Sequence, residues 1–278
     1  IIYGANIYNG CVFFERYINF KKEDWYLVVI CRSCNCLFRL GVCSNKCEEV
    51  NVLNFKSILI GGTGATGRRL LKQLTLNEKC SYITSIGRRE LDSHQIHDKI
   101  NHIVTDTLLD LSGIEQYWIN HDVFFNCIGT TREKAGGADQ FHDIEYGISN
   151  EAARVASKSK IPHASLISAS GANHNLWAKK WIHPLFYSKT MGQKEQTILS
   201  NYRFQNISIF KPGMLIRKME RNSFFEKSFK IFGFGLEVDI LAKAMIEDAV
   251  RVFQNKRDPK TMYYKGNDDI TTISEGNF

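Results

Sequence analysis

Ser57-Ile58-Leu59-Ile60-Gly61-Gly62-Thr63-Gly64-Ala65-Thr66-Gly67 is the stretch that decides the fold of this 278-residue chain. A short apolar run leads into three glycines with the spacing G-x-x-G-x-x-G. Glycine at such positions permits a tight turn, a close backbone approach to a ligand, and packing of the next helix on the strand. The unpaired N–H groups at the start of that helix favour phosphate, so we expect a pyrophosphate site here. The expected contacts are Gly61, Thr63, Gly64, Ala65, Thr66 and Gly67.

The rest of the chain from Lys56 onward repeats one pattern. Apolar runs of strand length alternate with amphipathic stretches of helix length, which is typical of a parallel sheet with crossover helices. The predicted strands are residues 57–61, 83–87, 102–105, 122–129, 164–168 and 206–211. Residues 145–159 have apolar side chains at helical spacing and are predicted to form a crossover helix. The sequence therefore predicts an α/β fold, a Rossmann-type doubly wound parallel sheet with helices on both faces.

Residues 1–53 do not continue this pattern, so we expect a cysteine-rich N-terminal extension ahead of a dinucleotide-binding domain at residues 54–278. Thiolates at close spacing can converge on a tetrahedral zinc ion, but the extension has no clean pair of C-x-x-C elements. The alternatives are a zinc knuckle, an unstructured extension and a wrongly joined upstream translation, and we predict no metal site. The cysteines of the extension are Cys11, Cys31, Cys34, Cys36, Cys43 and Cys47.

Composition limits the class of protein. With 44% hydrophobic and 23% charged residues the chain is typical of a globular protein. The formal charge of +7 comes from scattered lysines and arginines, so we expect no nucleic-acid partner. Apolar runs are far shorter than the ~18 residues of a membrane span, so none is expected. Only Cys80 and Cys127 lie inside the main domain, which favours a reduced, cytoplasmic protein.

The end of the second predicted strand indicates which dinucleotide binds. An NAD-binding fold has an acidic residue there for the ribose 2′-hydroxyl, whereas this chain has Arg88 and Arg89. Guanidinium groups bind phosphate through paired, charge-assisted hydrogen bonds, so the arginines favour the 2′-phosphate of NADP. Asp106, just past the third predicted strand, is a candidate contact for the adenine amino group.

Several motifs together resemble one family. They are the glycine loop, Gly87-Arg88-Arg89, the stretch CIGTTREKAG at residues 127–136, and Phe210-Lys211-Pro212-Gly213. In these motifs the chain resembles the HIV-Tat-interacting oxidoreductase family of atypical short-chain dehydrogenases, from about residue 54 to near residue 274. The resemblance implies NADPH binding, with Gly129 and Thr130 lining the cofactor and Pro212 and Gly213 beside the nicotinamide. It also implies a protein of the cytoplasm or the nuclear envelope.

The same resemblance supplies the candidate catalytic groups. Short-chain dehydrogenases use a tyrosine as proton donor, a lysine four residues later and a serine that polarises the substrate carbonyl. A free tyrosine has a pKa of ~10, so an adjacent cation eases proton exchange near neutral pH. Ser170 and Tyr187 occupy the matching positions, with Ser168 as the alternate serine. Met191 stands where the lysine is expected, which weakens the prediction of catalysis.

Three functions therefore stay open on sequence alone. The first is an NADPH-dependent oxidoreductase acting on an unknown small-molecule carbonyl substrate. The second is an NADPH-binding regulatory protein that binds protein partners without turnover. The third, a metal or nucleic-acid module within the cysteine-rich extension, is the weakest of the three.

Overall fold

The computed structural model describes the backbone of four strands within residues 3–39, and then residues 54–216, 235–258 and 260–276. The chain divides into two compact units, Ile1–Val52 and Leu53–Phe278. The first unit contains an antiparallel sheet in the order β1-β2-β3-β4, which the sequence pattern did not predict. Its strands are β1 (Tyr3–Tyr8), β2 (Cys11–Asn19), β3 (Trp25–Ile30) and β4 (Leu37–Arg39). The possible zinc cysteines from Cys31 to Cys47 lie outside the described residues.

The second unit is built on a seven-stranded parallel sheet in the order β13-β10-β9-β8-β5-β6-β7. The strands are β5 (Phe55–Ile60), β6 (Cys80–Gly87), β7 (Ile100–Val104), β8 (Val123–Asn126), β9 (His163–Ile167), β10 (Asn206–Lys211) and β13 (Thr261–Lys265). A separate parallel pair joins β11 (Met214–Ile216) and β12 (Gly235–Glu237). The predicted Rossmann-type doubly wound sheet is confirmed, and the six predicted strands all lie in it.

Helices connect the strands and cover both faces of the sheet. They are α1 (Ala65–Leu76), α2 (Arg132–Ala135), α3 (Ala138–His142), α4 (Ile148–Lys158), α5 (His183–Ser200), α6 (Val238–Phe253) and α7 (Gly266–Ser274). A π-helical turn at Asp143–Gly147 precedes α4, so the predicted crossover helix is real but its first turn is wider than an α-helix. Side chains of β8 alternate between the two faces of the sheet. Phe125 packs with α1 and α6, and Phe124 packs with α4.

The order of the strands creates a crevice at one edge of the sheet. From β5 the chain moves outward to β6 and β7, and then returns to build β8, β9 and β10 on the other side of β5. The connections after β5 and β8 therefore leave toward opposite faces, and a gap opens at the carboxyl ends of these two strands. In open α/β sheets this switch point is where ligands bind.

A buried polar network surrounds Asp248 on α6, on the side of the sheet formed by β9, β10 and β13. Tyr264 donates to Asp248 Oδ1 at 2.6 Å, and Arg257 Nη1 lies 2.8 Å from the same oxygen. Ser208 donates to the other carboxylate oxygen, and His163 Nε2 forms a hydrogen bond of 2.8 Å with Ser208 Oγ. Asp248 and His163 are both almost fully buried, so the charge of Asp248 is balanced by Arg257 inside the protein.

Acid is expected to destabilise the protein in two stages because of this network. Burial lowers the pKa of His163. Burial alone would raise the pKa of Asp248, but the surrounding hydrogen bonds and Arg257 hold it below its ordinary value. At both sites the unfolded chain binds more protons, so stability rises with pH. We expect the melting temperature to fall first below about pH 6.5 and again below about pH 4, the ordinary pKa values of the two groups.

Thermal melts across pH test this expectation with two variants. His163→Asn should melt with a flatter pH dependence in the upper range, whereas His94→Asn, which replaces an exposed histidine, should follow wild type. An upper-range slope that His163→Asn leaves unchanged would assign the effect to another group.

Candidate functional site

The glycine loop closes at the carboxyl end of β5 as the sequence predicts. Gly61 has a φ of +85°, and a Cβ on it would lie 2.7 Å from the carbonyl carbon of Cys127. A Cβ on Gly67 would lie only 2.1 Å from the carbonyl oxygen of Gly61. The amide of Gly64 donates to that same oxygen at 2.9 Å, and α1 begins at the next residue. Only glycine permits this contact between loop and helix, which directs the N-terminus of α1 at the crevice.

A cleft of about 1000 Å³ lies over this loop, at the switch point of the sheet. It is large enough for a dinucleotide-sized ligand. Residues from the loop, from the region after β6 and from the end of β8 line it together. The predicted cofactor contacts among its lining residues are Thr63, Gly64, Ala65, Thr66, Arg89, Gly129 and Thr130.

The cleft is strongly basic. Among the described residues that line it are five lysines or arginines and two histidines, but no aspartate or glutamate. The five cations are Arg68, Arg69, Lys72, Arg89 and Lys134. Arg68 and Arg69 also contact the carboxylates of Asp92 and Asp239 at 2.8 Å and 3.5 Å, so part of their charge is balanced. Such a lining suits a ligand with several negative charges.

The sequence reasoning missed four of these five cations. Arg68, Arg69 and Lys72 follow the last glycine of the loop on the polar face of α1, which is the signal that could have identified them. Lys134 comes from the short helix α2, far along the chain, and only the fold brings it to the cleft.

The other predicted cofactor residues lie around the cleft rather than on its lining. Gly61 and Gly67 shape the loop through the close backbone contacts described above, but they do not line the cleft. Arg88 and Asp106 are exposed, and neither lines the cleft. The two neighbouring arginines therefore differ, because Arg89 lines the cleft and its carbonyl accepts a hydrogen bond from His102 Nε2 at 2.9 Å.

Pro212 and Gly213 follow β10 at the same edge of the sheet. The amide of Gly213 donates to Asn267 Oδ1 at 3.1 Å, and the Pro212 carbonyl accepts from the amide of Ser170 at 2.9 Å. This turn therefore fixes the backbone of the predicted catalytic serine.

The two candidate catalytic residues come from neighbouring elements. Ser170 is exposed just past β9, and Tyr187 is half-buried on α5 with its ring 5.8 Å from that of Phe141. The loop after Ser170 returns to α5, where the Asn173 amide donates to the Ser188 carbonyl at 3.0 Å. A Cβ on Gly192 would lie 2.1 Å from the backbone nitrogen of His174, so the loop packs directly on the helix.

Ser168, the alternate serine, is engaged elsewhere. Its side chain is buried and donates to Glu195, which also contacts Lys211 Nζ at 2.8 Å. A serine whose hydroxyl proton is bound to a buried carboxylate is poorly placed to donate to a substrate. The local contacts therefore favour Ser170 for that role.

The expected lysine position is occupied by a buried side chain. Met191 is 4% exposed, one helical turn after Tyr187. Lys194, two turns after Tyr187, has a fully buried side chain. Its Nζ lies 3.0 Å from the Ile128 carbonyl oxygen and 3.2 Å from Glu145 Oε2.

Glu145 completes what we call the Glu145–Lys194 pair. It lies in the π-helical turn, is 1% exposed, and accepts a hydrogen bond from the amide of Thr130 at 2.6 Å. The pair therefore holds the backbone on both sides of Gly129, which lines the cleft. No sequence signal links residues 49 positions apart, so the pair was not predicted.

Cys127 is a poor nucleophile although it lines the cleft. Burial raises the pKa of its thiol to about 12, even though the Lys194 charge acts in the opposite direction. A thiol with this pKa is protonated at neutral pH and chemically inert.

Within the described residues, no group of three or more His, Cys, Asp or Glu side chains is arranged to hold a metal ion.

Comparisons with known proteins identify relatives that match more than half of the chain. Protein FMP52, mitochondrial, of Debaryomyces hansenii is 33% identical over 177 residues, which cover 62% of this chain and 74% of that protein. Protein HTATIP2 of Rattus norvegicus is 29% identical over 172 residues, covering 61% of this chain and 66% of HTATIP2. No protein-family model matches the sequence.

A solved structure of low sequence identity has the same fold. MoeE5 in complex with UDP-glucose and NAD superposes with a TM-score of 0.56 at 12% identity, covering 80% of this chain and 81% of that chain. At this identity the likeness establishes the Rossmann-type fold and no more.

Among the residues that the structure describes, no helix combines the length and apolar composition that a membrane crossing needs.

The expected location in the cytoplasm or at the nuclear envelope is wrong. The FMP52 relatives of Debaryomyces hansenii, Meyerozyma guilliermondii and Candida albicans are all named mitochondrial. Free cysteines such as Cys80 and Cys127 indicate a reducing environment, but they do not distinguish one reducing compartment from another.

Proposed function

The chain belongs to the family of Protein FMP52, mitochondrial, and we propose that it is an NADPH-dependent oxidoreductase of the atypical short-chain dehydrogenase type. Its proposed substrate is a small carbonyl compound. The observation that carries the proposal is the basic cleft over the glycine loop, whose described lining contains no acidic side chain. Following the names of the FMP52 relatives, we further propose a mitochondrial location, which fractionation of the source cells can test.

The cleft fits a dinucleotide in shape and in charge. Glycines at 61 and 67 let the loop turn tightly against the backbone after β8 and the start of α1, and the first turn of α1 offers unpaired N–H groups. We assign Thr63 to Thr66 to the pyrophosphate, Arg89 to the ribose 2′-phosphate, and Gly129 with Thr130 to the nicotinamide half. Asp106 and Arg88 keep a weaker assignment to the adenosine end because both lie outside the lining of the cleft.

NADPH is expected to bind at least tenfold more tightly than NADH. A charge-assisted hydrogen bond from Arg89 to the 2′-phosphate contributes on the order of 1.5 to 3 kcal/mol, which corresponds to about tenfold or more. Calorimetric titration of wild type, Arg89→Ala and Arg88→Ala measures this. Arg89→Ala should lose affinity for NADPH and not for NADH.

Arg88→Ala is the matched control, because Arg88 is the adjacent arginine and lies outside the cleft lining. It should retain most of the preference for NADPH. Equal affinity of wild type for both nucleotides would contradict the proposed NADP specificity.

We propose catalytic roles for two residues that flank the loop between β9 and α5. The bound nicotinamide supplies the hydride. We assign the Ser170 hydroxyl to donate a hydrogen bond to the substrate carbonyl oxygen, and the Tyr187 hydroxyl to deliver the proton to it. The turn at Pro212 and the contact of Asn173 with α5 hold these two residues in place. A screen of small carbonyl compounds with NADPH, after the titration, tests for turnover.

One observation favours a second function, an NADPH-binding regulatory protein that binds protein partners without turnover. Met191 places no charge at the position where the lysine is expected, and the ammonium of Lys194 is bound to Glu145 and the Ile128 carbonyl. On this account the cleft binds nucleotide while the proton donor is weak. Tight NADPH binding together with no reduction of any carbonyl compound supports the second function.

A further inference from the structure

We infer that residues 176–185, LWAKKWIHPL, dock this protein on an anionic phospholipid surface. This stretch, the tryptophan segment, lies in the connection from β9 to α5 and extends into the first turn of α5. The inference goes beyond the proposed function and does not depend on it.

The tryptophan segment exposes large apolar side chains. Trp177 is 67% exposed and Trp181, four residues later, is 73% exposed. Leu185 is 37% exposed on the first turn of α5. An indole is apolar over most of its surface and has one polar N–H, so it is stable where hydrocarbon meets the headgroups of a bilayer. Two such rings within five residues are therefore better explained by an interface than by chance exposure.

The backbone of the segment is held in place while its indoles point outward. The carbonyl of Lys180 accepts a hydrogen bond from Arg132 Nη1 at 2.8 Å, and the amide of Ile182 donates to the Lys179 carbonyl at 3.0 Å. On its amino-terminal side, the loop packs against Gly192 of α5. The exposure of the two rings is thus a property of an anchored loop, and little ordering would be needed for them to insert into a surface.

The positive charge of the tryptophan segment indicates that its partner is anionic. Lys179 and Lys180 lie between the two tryptophans, and the sequence contains no aspartate or glutamate from Ala152 to Lys194. Lys179 Nζ lies 5.8 Å from the Trp177 ring centre, and Lys180 contacts the exposed Asp139. Lysines beside interfacial aromatic residues are the combination that binds anionic headgroups, each lysine strengthening binding about fivefold at low salt. A neutral apolar partner would not need the lysines.

Vesicle co-sedimentation of the full chain tests the inference. The probes are phosphatidylcholine vesicles and vesicles in which about a third of the lipid is phosphatidylglycerol. Wild type should bind the anionic vesicles more tightly, with a blue shift of tryptophan emission and weaker binding at high salt. Trp177→Ala with Trp181→Ala should lose at least about tenfold in affinity, and Lys179→Gln with Lys180→Gln about 25-fold.

The matched control combines Leu76→Ala with Lys243→Gln, an exposed apolar residue and an exposed lysine on other helices. This variant should bind vesicles like wild type, and all variants should retain the wild-type melting temperature. Equal binding to both vesicle types, or equal binding by the tryptophan variant and wild type, would overturn the inference. Binding to polyglutamate but not to vesicles would assign the segment to an acidic protein. A wild-type dimer that the tryptophan variant dissociates would assign it to a second copy of the chain.

Discussion

Replacing Met191 by lysine is expected to raise carbonyl reduction at neutral pH by up to about 10²- to 10⁴-fold, the usual contribution of general acid–base catalysis. Residue 191 follows Tyr187 by one helical turn, so the two side chains share a face of α5. An ammonium there would stabilise the phenolate that forms when Tyr187 gives up its proton. Met and Lys are both unbranched helix formers, and the stem of the lysine can replace the buried part of Met191. Initial rates with NADPH and the best available carbonyl compound measure the effect.

Two controls separate proton donation from changes in folding. Met191→Leu keeps the position buried and apolar and should leave the rate unchanged. Adding Tyr187→Phe to Met191→Lys should abolish the gain, because the cation then has no phenol to assist. If wild type already turns over at about 1 to 10³ per second, the lysine position is not a defect and another group supplies the charge. If Met191→Lys binds NADPH normally but reduces nothing, the regulatory function is the better account.

Replacing Lys194 by methionine is expected to destabilise the fold by about 3 to 5 kcal/mol, because it leaves a carboxylate buried without its partner. The side chains of Lys194 and Glu145 are 0% and 1% exposed. The substitution also removes the donor to the Ile128 carbonyl, next to the Gly129 backbone of the cleft. We therefore expect weaker NADPH binding in addition to easier unfolding. Denaturant unfolding and calorimetry measure the two effects separately.

A double variant shows how much of the lost stability is due to the unpaired charge of Glu145. Lys194→Met with Glu145→Gln removes both charges and should recover much of the lost stability, since a buried ion pair is often no more stable than a neutral replacement. Lys158→Met is the matched control, because Lys158 forms an exposed ion pair with Glu115 and should change stability far less. Equal losses for Lys194→Met and Lys158→Met would mean that burial of the Glu145–Lys194 pair has no energetic importance.

The sequence was sufficient where local chemistry determines the structure. Apolar runs such as residues 122–129 must be covered on both faces, so the strands of the parallel sheet could be located from the sequence pattern. The glycine loop was predictable for a similar reason, since Gly61 and Gly67 occupy positions that no other residue can take without displacing backbone. The edge strand β13 was missed because its sequence, TMYYK, is mostly exposed or half-buried and does not form an apolar run.

The sequence was insufficient where the fold brings distant residues together. Glu145 was predicted as part of an ordinary crossover helix, but the π-helical turn directs it inward to Lys194. The difference between Arg88 and Arg89 has the same origin, because two adjacent arginines look equivalent until the turn after β6 directs only one into the cleft. Location was also beyond the reach of residue chemistry, as the mitochondrial relatives made clear.

The contact at Gly192 also has an evolutionary consequence. Because the backbone of Asn173 and His174 occupies the space of a Cβ, any mutation of Gly192 must be accompanied by a rearrangement of the loop. Gly192 and the loop residues packed on it can therefore change only together. No such backbone contact with Gly192 constrains the outer part of the loop. Natural selection can alter the exposed residues around Trp177 and Trp181 one at a time while Ser170 and Tyr187, at the two ends, stay where they are. The proposed docking surface and the proposed catalytic residues can in this way evolve at independent rates.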